Sequence, residues 1–497
     1  MEIKIYRNIT TPIYLQLVSQ IKGKIITREL GAGDVLPSER AMAERLSIHR
    51  NTVTRAYKEL ESMELIESRQ GYGYMVCVGP GGDGVVNGPG EPAKQAGSKT
   101  KGRVNWLSMM HSDYTTGGHK FDDIFSQAND ESICPFSIGM ATSGIYTQDE
   151  LSQALENAIN QGRRGRYFYT PYQGDLDLRK EIARFMREKG VDVSPAEIQV
   201  FGELNQAINF IGTLMLQPGD TVFTEEPVNP DIYRSFDLAG VRQITIPMDK
   251  NGMFTDNLDA MIEKYHPKFI YVSSSYHDPT GTILSYERRK KLLELSERYR
   301  VAIIEDDAAS MLDYDFVSVP PLLSMDRNGN VLYIYSFELT FIPGMNVTFV
   351  VAPRPVIRAL SYLVSLRLVS MDVIPQKLLW YCLHNGLYHR GLAAMKDTNR
   401  KKRDIMYSYI ENAGIDDFYA RLPEGGVYIW CHVPEKINLR ELLQLARRKG
   451  VAFMPGYLFY PDGKQPSNYI RLNYSTPTES EVDRGMPLLI EAIKELL

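Results

Sequence analysis

The run His49-Arg50-Asn51-Thr52-Val53-Thr54-Arg55 puts imidazole, guanidinium, amide and hydroxyl groups on about two helical turns. Those are the groups that read base edges in a major groove, where one arginine paired with guanine is worth about 1–3 kcal/mol of discrimination. Arg40 stands one element earlier, placed to reach a phosphate backbone, and Gln70 with Gly71 falls in a glycine-rich tip that can approach a minor groove. An exposed polar helix face is also what plain solvation produces, so this run needs its framework to be read. A second set of reactive types lies further on, at Tyr276-His277-Asp278 and Glu305-Asp306-Asp307. His277 beside Asp278 has the make-up of an acid–base pair, but strand neighbours point to opposite faces. Asp306 reads equally as a site acid or as a cap at a strand end.

The elements that must position these groups belong to a chain of 497 residues, long enough for roughly two to four folding units. Hydrophobic residues make up 43% and charged residues 24%, which excludes a disordered or fibrous chain. The net charge of −5 points to no polyanionic partner by itself, yet residues 1–76 carry 11 Lys or Arg against 9 Asp or Glu. Cys77, Cys134, Cys382 and Cys431 lie far apart, so neither a metal site nor a disulfide framework is expected, and a reducing cytoplasm suits them. The first residues lack the apolar stretch of a secretory signal, and no 18-residue apolar run follows, so neither export nor membrane spanning is expected.

Residues 77–104 are dominated by Gly and Pro without an apolar period and read as a flexible linker. Before it, apolar residues at helical spacing from Ile13 to Ile26 predict one helix. Pro37-Ser38-Glu39-Arg40 opens a second, with the proline at the helix start, and Ser47-Ile48-His49 makes a turn into a third. Alternation from Ile66 to Val76 predicts a hairpin, which completes a winged helix-turn-helix over residues 1–76. After the linker, apolar strands at Thr221–Phe223, Gln243–Ile246, Phe269–Val272, Val301–Ile304 and Val331–Tyr335 alternate with helices such as Tyr286–Tyr299. Strands apolar on both faces and separated by helices predict an α/β unit with a mostly parallel sheet.

The spacing Leu36-Pro37-Ser38-Glu39-Arg40, Leu46 to Val53, Leu65-Ile66 and Gly71-Tyr72-Gly73 closely resembles the GntR family of bacterial transcription factors. The resemblance implies operator contacts from Arg40, Arg50 and Thr52, supported by His49, Gln70 and Gly71; His49 replaces the Ser or Thr common there. Tyr169-Thr170-Pro171, Asn205-Gln206-Ala207, Pro218-Gly219-Asp220, Asp278-Pro279-Thr280-Gly281, Glu305-Asp306-Asp307, Pro343-Gly344, Pro423-Glu424-Gly425-Gly426 and Ile470-Arg471-Leu472 resemble fold-type I aminotransferases in order and spacing. Together the two halves resemble a MocR-type regulator. That implies a large aminotransferase-like domain over 105–385, a smaller C-terminal α+β subdomain over 386–497, and a head-to-tail homodimer carrying two heads to two half-sites.

Aminotransferases hold pyridoxal phosphate (PLP) through a lysine imine, and no other side chain replaces that amine. Here the resembling stretch reads Ser336-Phe337-Glu338-Leu339, which puts Leu339 at the lysine position, and no lysine occurs between Lys291 and Lys377. Asn346 stands where an arginine would clamp the phosphate, Glu338 and Glu203 add carboxylates beside that cup, Ala308 replaces a tyrosine, and Asn229 replaces an aromatic ring cover. The asparagine expected before Pro279 is Asp278, while Asp306 and Arg471 are retained. Arg471 reads as a fork for a ligand carboxylate or as half of a buried ion pair. No cofactor is expected.

The expectation is a cytoplasmic regulator that binds double-stranded operator DNA. Its catalytically dead body would dimerise and receive an effector near Tyr276, His277, Asp278, Asp306, Glu338 and Arg471. The rivals are a regulator that senses PLP noncovalently, an active aminotransferase, and a body that binds nothing. Arg50→Ala should abolish retardation of a specific promoter fragment while circular dichroism stays unchanged; unaltered retardation would remove Arg50 from base reading.

Overall fold

A computed structural model describes residues 3, 5, 13–26, 30, 31, 33–62, 65–69, 73–76, 130, 132–160, 171–315, 319–368, 371–461 and 468–497. The predicted linker, together with Gln70, Gly71 and Tyr169, lies outside them. The chain separates into two compact units, Met1–Asp123 and Ile124–Leu497.

In the front unit, α1 (Ile13–Ile26), α2 (Glu39–Leu46) and α3 (Arg50–Ser62) precede the antiparallel strands β1 (Ile66–Arg69) and β2 (Gly73–Val76). Ser38 caps α2, its hydroxyl accepting the Ala41 N–H at 3.2 Å. Pro37 therefore sits one residue outside the cap rather than in the first turn, and its carbonyl accepts the Tyr57 hydroxyl at 2.8 Å. Ser47 adopts a left-handed conformation, φ 51°, which stops α2 and turns the chain into α3. Val53, Ala56, Tyr57 and Leu60 recur at i, i+3, i+4 and i+7 and are buried against Leu17, Ile21, Met42 and Ile66. This packing turns the polar side of α3 outward, with Arg50, Asn51 and Arg55 exposed. Val35 bridges to Met75, bracing the hairpin on its outer strand. The predicted winged helix-turn-helix is present in its described parts.

The rear unit is built on an eight-stranded sheet. Its strand order is Ile198–Phe201, Thr348–Val351, Val331–Ser336, Ala302–Asp306, Phe269–Ser273, Thr221–Glu226, Arg242–Asp249 and Gly252–Met253. The pairings from Val331–Ser336 through Arg242–Asp249 are all parallel, while Thr348–Val351 and the last short strand run against their neighbours. Alternate residues enter separate cores: Phe269, Tyr271 and Ile304 pack on one face, Ile270, Val272 and Ile303 on the other. Both faces are covered, as the two-sided apolar strands predict. The predicted Tyr286–Tyr299 helix is found with those bounds, and the strand predicted from Val301 begins at Ala302.

A second, antiparallel sheet has the order Tyr419–Ala420, Tyr428–His432, Tyr469–Asn473, Met454–Pro455. Arg471 lies in its third strand, opposite Trp430 and Met454. Loops from the two sheets approach closely at Gly425, where any Cβ would collide with the Leu312 carbonyl and the Tyr276 ring. Loops leaving the carboxyl ends of the parallel strands thereby face residues of the second sheet, where ligands bind in open α/β sheets. Among the described residues, no helix is long and apolar enough to cross a membrane.

Candidate functional site

On the head, the base-reading candidates lie at the start of α3. His49 precedes the helix, and its Nδ1 accepts the Asn51 N–H at 3.2 Å, so the imidazole caps the helix as the family's Ser or Thr would. Arg50 is two-thirds exposed, and its Nε and Nη2 donate to the same Glu39 oxygen at 3.3 and 3.1 Å. Thr52 is partly exposed on the same turn. Arg40 stands free of the head's core and pairs with Glu44 of its own helix, at 3.0 Å, in a mostly exposed contact. Arg55 is drawn back: its guanidinium covers the Tyr14 ring at 3.8 Å and donates to the Tyr14 hydroxyl at 3.0 Å.

In the rear unit, the strand ends bring Asp278, Asp306, Glu338 and Arg471 into one electrostatic cluster. Arg471 Nη1 donates to both Asp278 oxygens, at 2.6 and 2.7 Å, and Nη2 donates to the Ser137 carbonyl at 2.7 Å. Tyr428 and Phe459 lie against the guanidinium at 4.0 and 5.0 Å. The Asn229 amide donates to the Asp278 carboxylate at 2.7 Å, and the Asn229 carbonyl caps the helix Pro230–Leu238 through the Asp231 N–H. Burial pushes the Asp278 carboxyl upward, and Arg471 pulls it back toward ionisation. Of the two roles open to Arg471, the ion pair is formed, through Nη1 alone, while Nε is buried without a hydrogen-bond partner among the described residues.

Asp306 accepts the Tyr271 hydroxyl at 2.5 Å and the Ala308 N–H at 3.1 Å. It is therefore a strand-end cap and a titratable group at once. Burial raises its pKa to about 6, with Asp307 and Asp278 adding to the rise. Glu338 follows the strand Val331–Ser336 in a single 3-10 turn, Phe337–Leu339, whose Ser336 hydroxyl accepts the Glu338 N–H. Burial, then Glu203, Asp231 and Asp306, push Glu338 up to about 7. These four are all carboxylates, and no cation appears among the groups that shift Glu338. Leu339 ends the turn half-buried against the large core.

A cleft of about 300 Å³ opens at the start of the helix Leu204–Met215, lined on its polar side by Glu203, Gln206, Asn346, Asp372 and Gln376. Among the described residues, two carboxylates and no lysine or arginine line it. This volume lies at the lower end of small-molecule sites.

Tyr276 and His277 make their own contacts beside the cluster, His277 through Glu225, which feels the charge of Asp306. Tyr276, with φ 53°, is buried against Gly425 and Gly426, where burial followed by Asp313 and Glu424 raises its hydroxyl. The fully buried His277 accepts or donates at Thr280 Oγ1, 2.9 Å away, and faces Glu225 at 3.5 Å. Burial lowers the imidazole to about 3 and raises Glu225 to about 8, so both stay neutral at pH 7. His277 and Asp278, adjacent in sequence, thus engage different partners, Glu225 and Arg471. Tyr271, Asp231, Tyr428 and Phe459 join the cluster without having been singled out from sequence. Asp231 had one signal, its place two residues after Asn229 in a first helical turn; the three aromatics had none beyond being apolar strand or turn residues.

Two family descriptions match this chain: bacterial regulatory proteins of the gntR family over residues 13–76, and aminotransferase class I and II over residues 141–487. An HTH-type transcriptional regulator of Bacillus subtilis, YisV, is 28% identical over 497 residues, covering 99% of this chain and 98% of that protein. The HTH-type transcriptional regulator TauR of Rhodobacter capsulatus is 24% identical, covering 95% of this chain and 94% of its own. Among solved structures, a multiple substrate aminotransferase from Thermococcus profundus matches with a TM-score of 0.73 at 25% identity, over 79% of this chain and 99% of that one. Pyrococcus horikoshii kynurenine aminotransferase has the same TM-score at 23% identity and coverage of 79% and 98%, a likeness of fold.

Removing one partner of a buried ion pair strands the other charge, so Asp278→Ala should cost about 3–5 kcal/mol of stability in urea unfolding. Glu338 holds its proton in the folded chain up to about pH 7, whereas the unfolded group loses it near 4.5. The folded state then binds more protons across that window, and stability falls as pH rises through it. Glu338→Gln should match wild type at pH 4 and exceed it at pH 8 by roughly 1–3 kcal/mol; parallel pH profiles would contradict the assignment.

Proposed function

The chain belongs to the class I and II aminotransferase family and opens with a GntR-family regulatory domain, which makes it a transcriptional regulator with an aminotransferase-like domain; from that premise we propose that the body has given up imine chemistry and receives a small-molecule effector noncovalently. The observation that carries this reading is Leu339. A hydrocarbon side chain ends the turn and packs against the core, at the position where the sequence resemblance leads one to expect the family's amine. Two enclosed lysines are committed elsewhere: Lys189 to Asp307 at 2.9 Å, and Lys402 to the Ser475 and Pro477 carbonyls at 2.5 and 3.0 Å.

The donor set does not fit PLP. A phosphate needs cationic or N–H-rich surroundings, but Glu203 and Asn346 line the cleft and Glu338 lies in the field of Glu203. Arg471, which would hold a ligand carboxylate, already holds Asp278. The same charges favour an effector that brings a positive charge and no phosphate, such as an amine. The retained Asp306 is the observation on the side of a second reading, noncovalent sensing of PLP.

On the head, exposed Arg50 and Asn51 and partly exposed Thr52 at the start of α3 support operator binding through the major groove. A head-to-tail homodimer would present two such heads. Because coupling free energies are reciprocal, an effector that shifts DNA affinity must have its own affinity shifted by DNA to the same factor. Incubation with PLP followed by dialysis and borohydride should leave no phosphopyridoxyl group on an enclosed lysine and no lasting absorption near the visible. A phosphopyridoxyl group fixed in stoichiometric amount to one enclosed lysine, after dialysis has removed cofactor held by exposed amines, would overturn the proposal, and a band that dialysis removes would favour the second reading.

A further inference from the structure

The two acidic and basic residues at the starts of α2 and α3 form an arrangement that the DNA-binding reading does not itself require. Glu39 is the first residue of α2, and Arg50 the first of α3. The Glu39 side chain is only 16% exposed while Arg50 is 66% exposed, so the carboxylate is the fixed member and the guanidinium the mobile one. Both Arg50 contacts, from Nε at 3.3 Å and Nη2 at 3.1 Å, end on Glu39 Oε2.

Donor counting then separates two edges of the fork. A guanidinium carries five N–H donors. Glu39 takes one from Nε and one from Nη2, which leaves Nη1 and the second Nη2 hydrogen facing away from α2. Bidentate recognition of guanine O6 and N7 needs two donors on one edge. The free edge supplies them.

We propose that Glu39 is a specificity-determining positioning residue: it holds Arg50 by one edge so that the other is presented to a guanine. This rests on the DNA-binding reading of the head. An ion pair this open contributes little to folding, so its main consequence is on geometry. An unrestrained arginine would lose rotamer freedom on reaching a base or would drop onto a phosphate, which carries no sequence information. Glu39 opposes the second outcome as well, since its negative charge repels the backbone.

The test uses the full-length protein and a random duplex library. The guanine whose preference disappears in Arg50→Ala is the base that Arg50 reads. Glu39→Gln keeps the shape and removes the charge; it should lower preference for that guanine about tenfold, leave other positions unchanged, and leave non-cognate binding equal or tighter. In the Arg50→Ala background, Glu39→Gln should change no base preference. Unchanged circular dichroism and thermal midpoint would show that the head is intact, and Glu39→Asp, which keeps the charge but shortens the arm, should lower the same preference if the glutamine variant does not fold. Wild-type guanine preference in a folded Glu39 variant, or a sharper one, would overturn the proposal. If Arg50→Ala alters no selected base, Arg50 is not a reader, and both the assignment of Arg50 and the role of Glu39 fall.

Discussion

The contact between Arg471 and Asp278 ties the second sheet of the rear unit to a loop that follows the parallel strand Phe269–Ser273. Two charges taken out of water lose several kcal/mol of hydration each, and only tight geometry with further hydrogen bonds recovers it. Here the guanidinium spans both Asp278 oxygens, donates to the Ser137 carbonyl, and lies against Tyr428 and Phe459, while Asn229 completes the carboxylate. The acid before Pro279, where the resemblance leads one to expect an amide, engages the arginine through Nη1, while its Nε is buried without a hydrogen-bond partner among the described residues.

With Arg471 neutralised, the remaining charges share one sign. Glu338 feels Glu203, Asp231 and Asp306, and its raised pKa reflects burial with unrelieved repulsion. The scaffold tolerates this because it depends on other residues. Alternating apolar strand positions feed two cores, and Gly425 lets the second sheet approach. Fold and pocket chemistry are therefore separable, which is how relatives named as regulators and relatives named as aminotransferases share one architecture.

The head follows the same logic on a smaller scale. Its core is a short list of apolar positions on three helices and a hairpin, and these force the polar face of α3 outward. What that face can read depends on which donors are left after the head's own contacts. Arg55 spends its guanidinium on Tyr14, and Arg50 keeps a free edge.

Much of the architecture was legible in the residues. Period and punctuation mark α1, α3 and Tyr286–Tyr299, and two-sided apolar runs mark the parallel strands, because local patterns are set by which faces must be buried. Residue type alone also decides that Leu339 has no amine to offer. Pairing was a different matter. Asp278 lies in a loop after one sheet's strand and Arg471 in a strand of the other sheet, Glu39 and Arg50 lie in different helices, and His277 turns toward Glu225 although its neighbour faces Arg471. Chain order does not encode which charge meets which; that is decided when packing brings strand ends together and burial makes each unpaired charge costly.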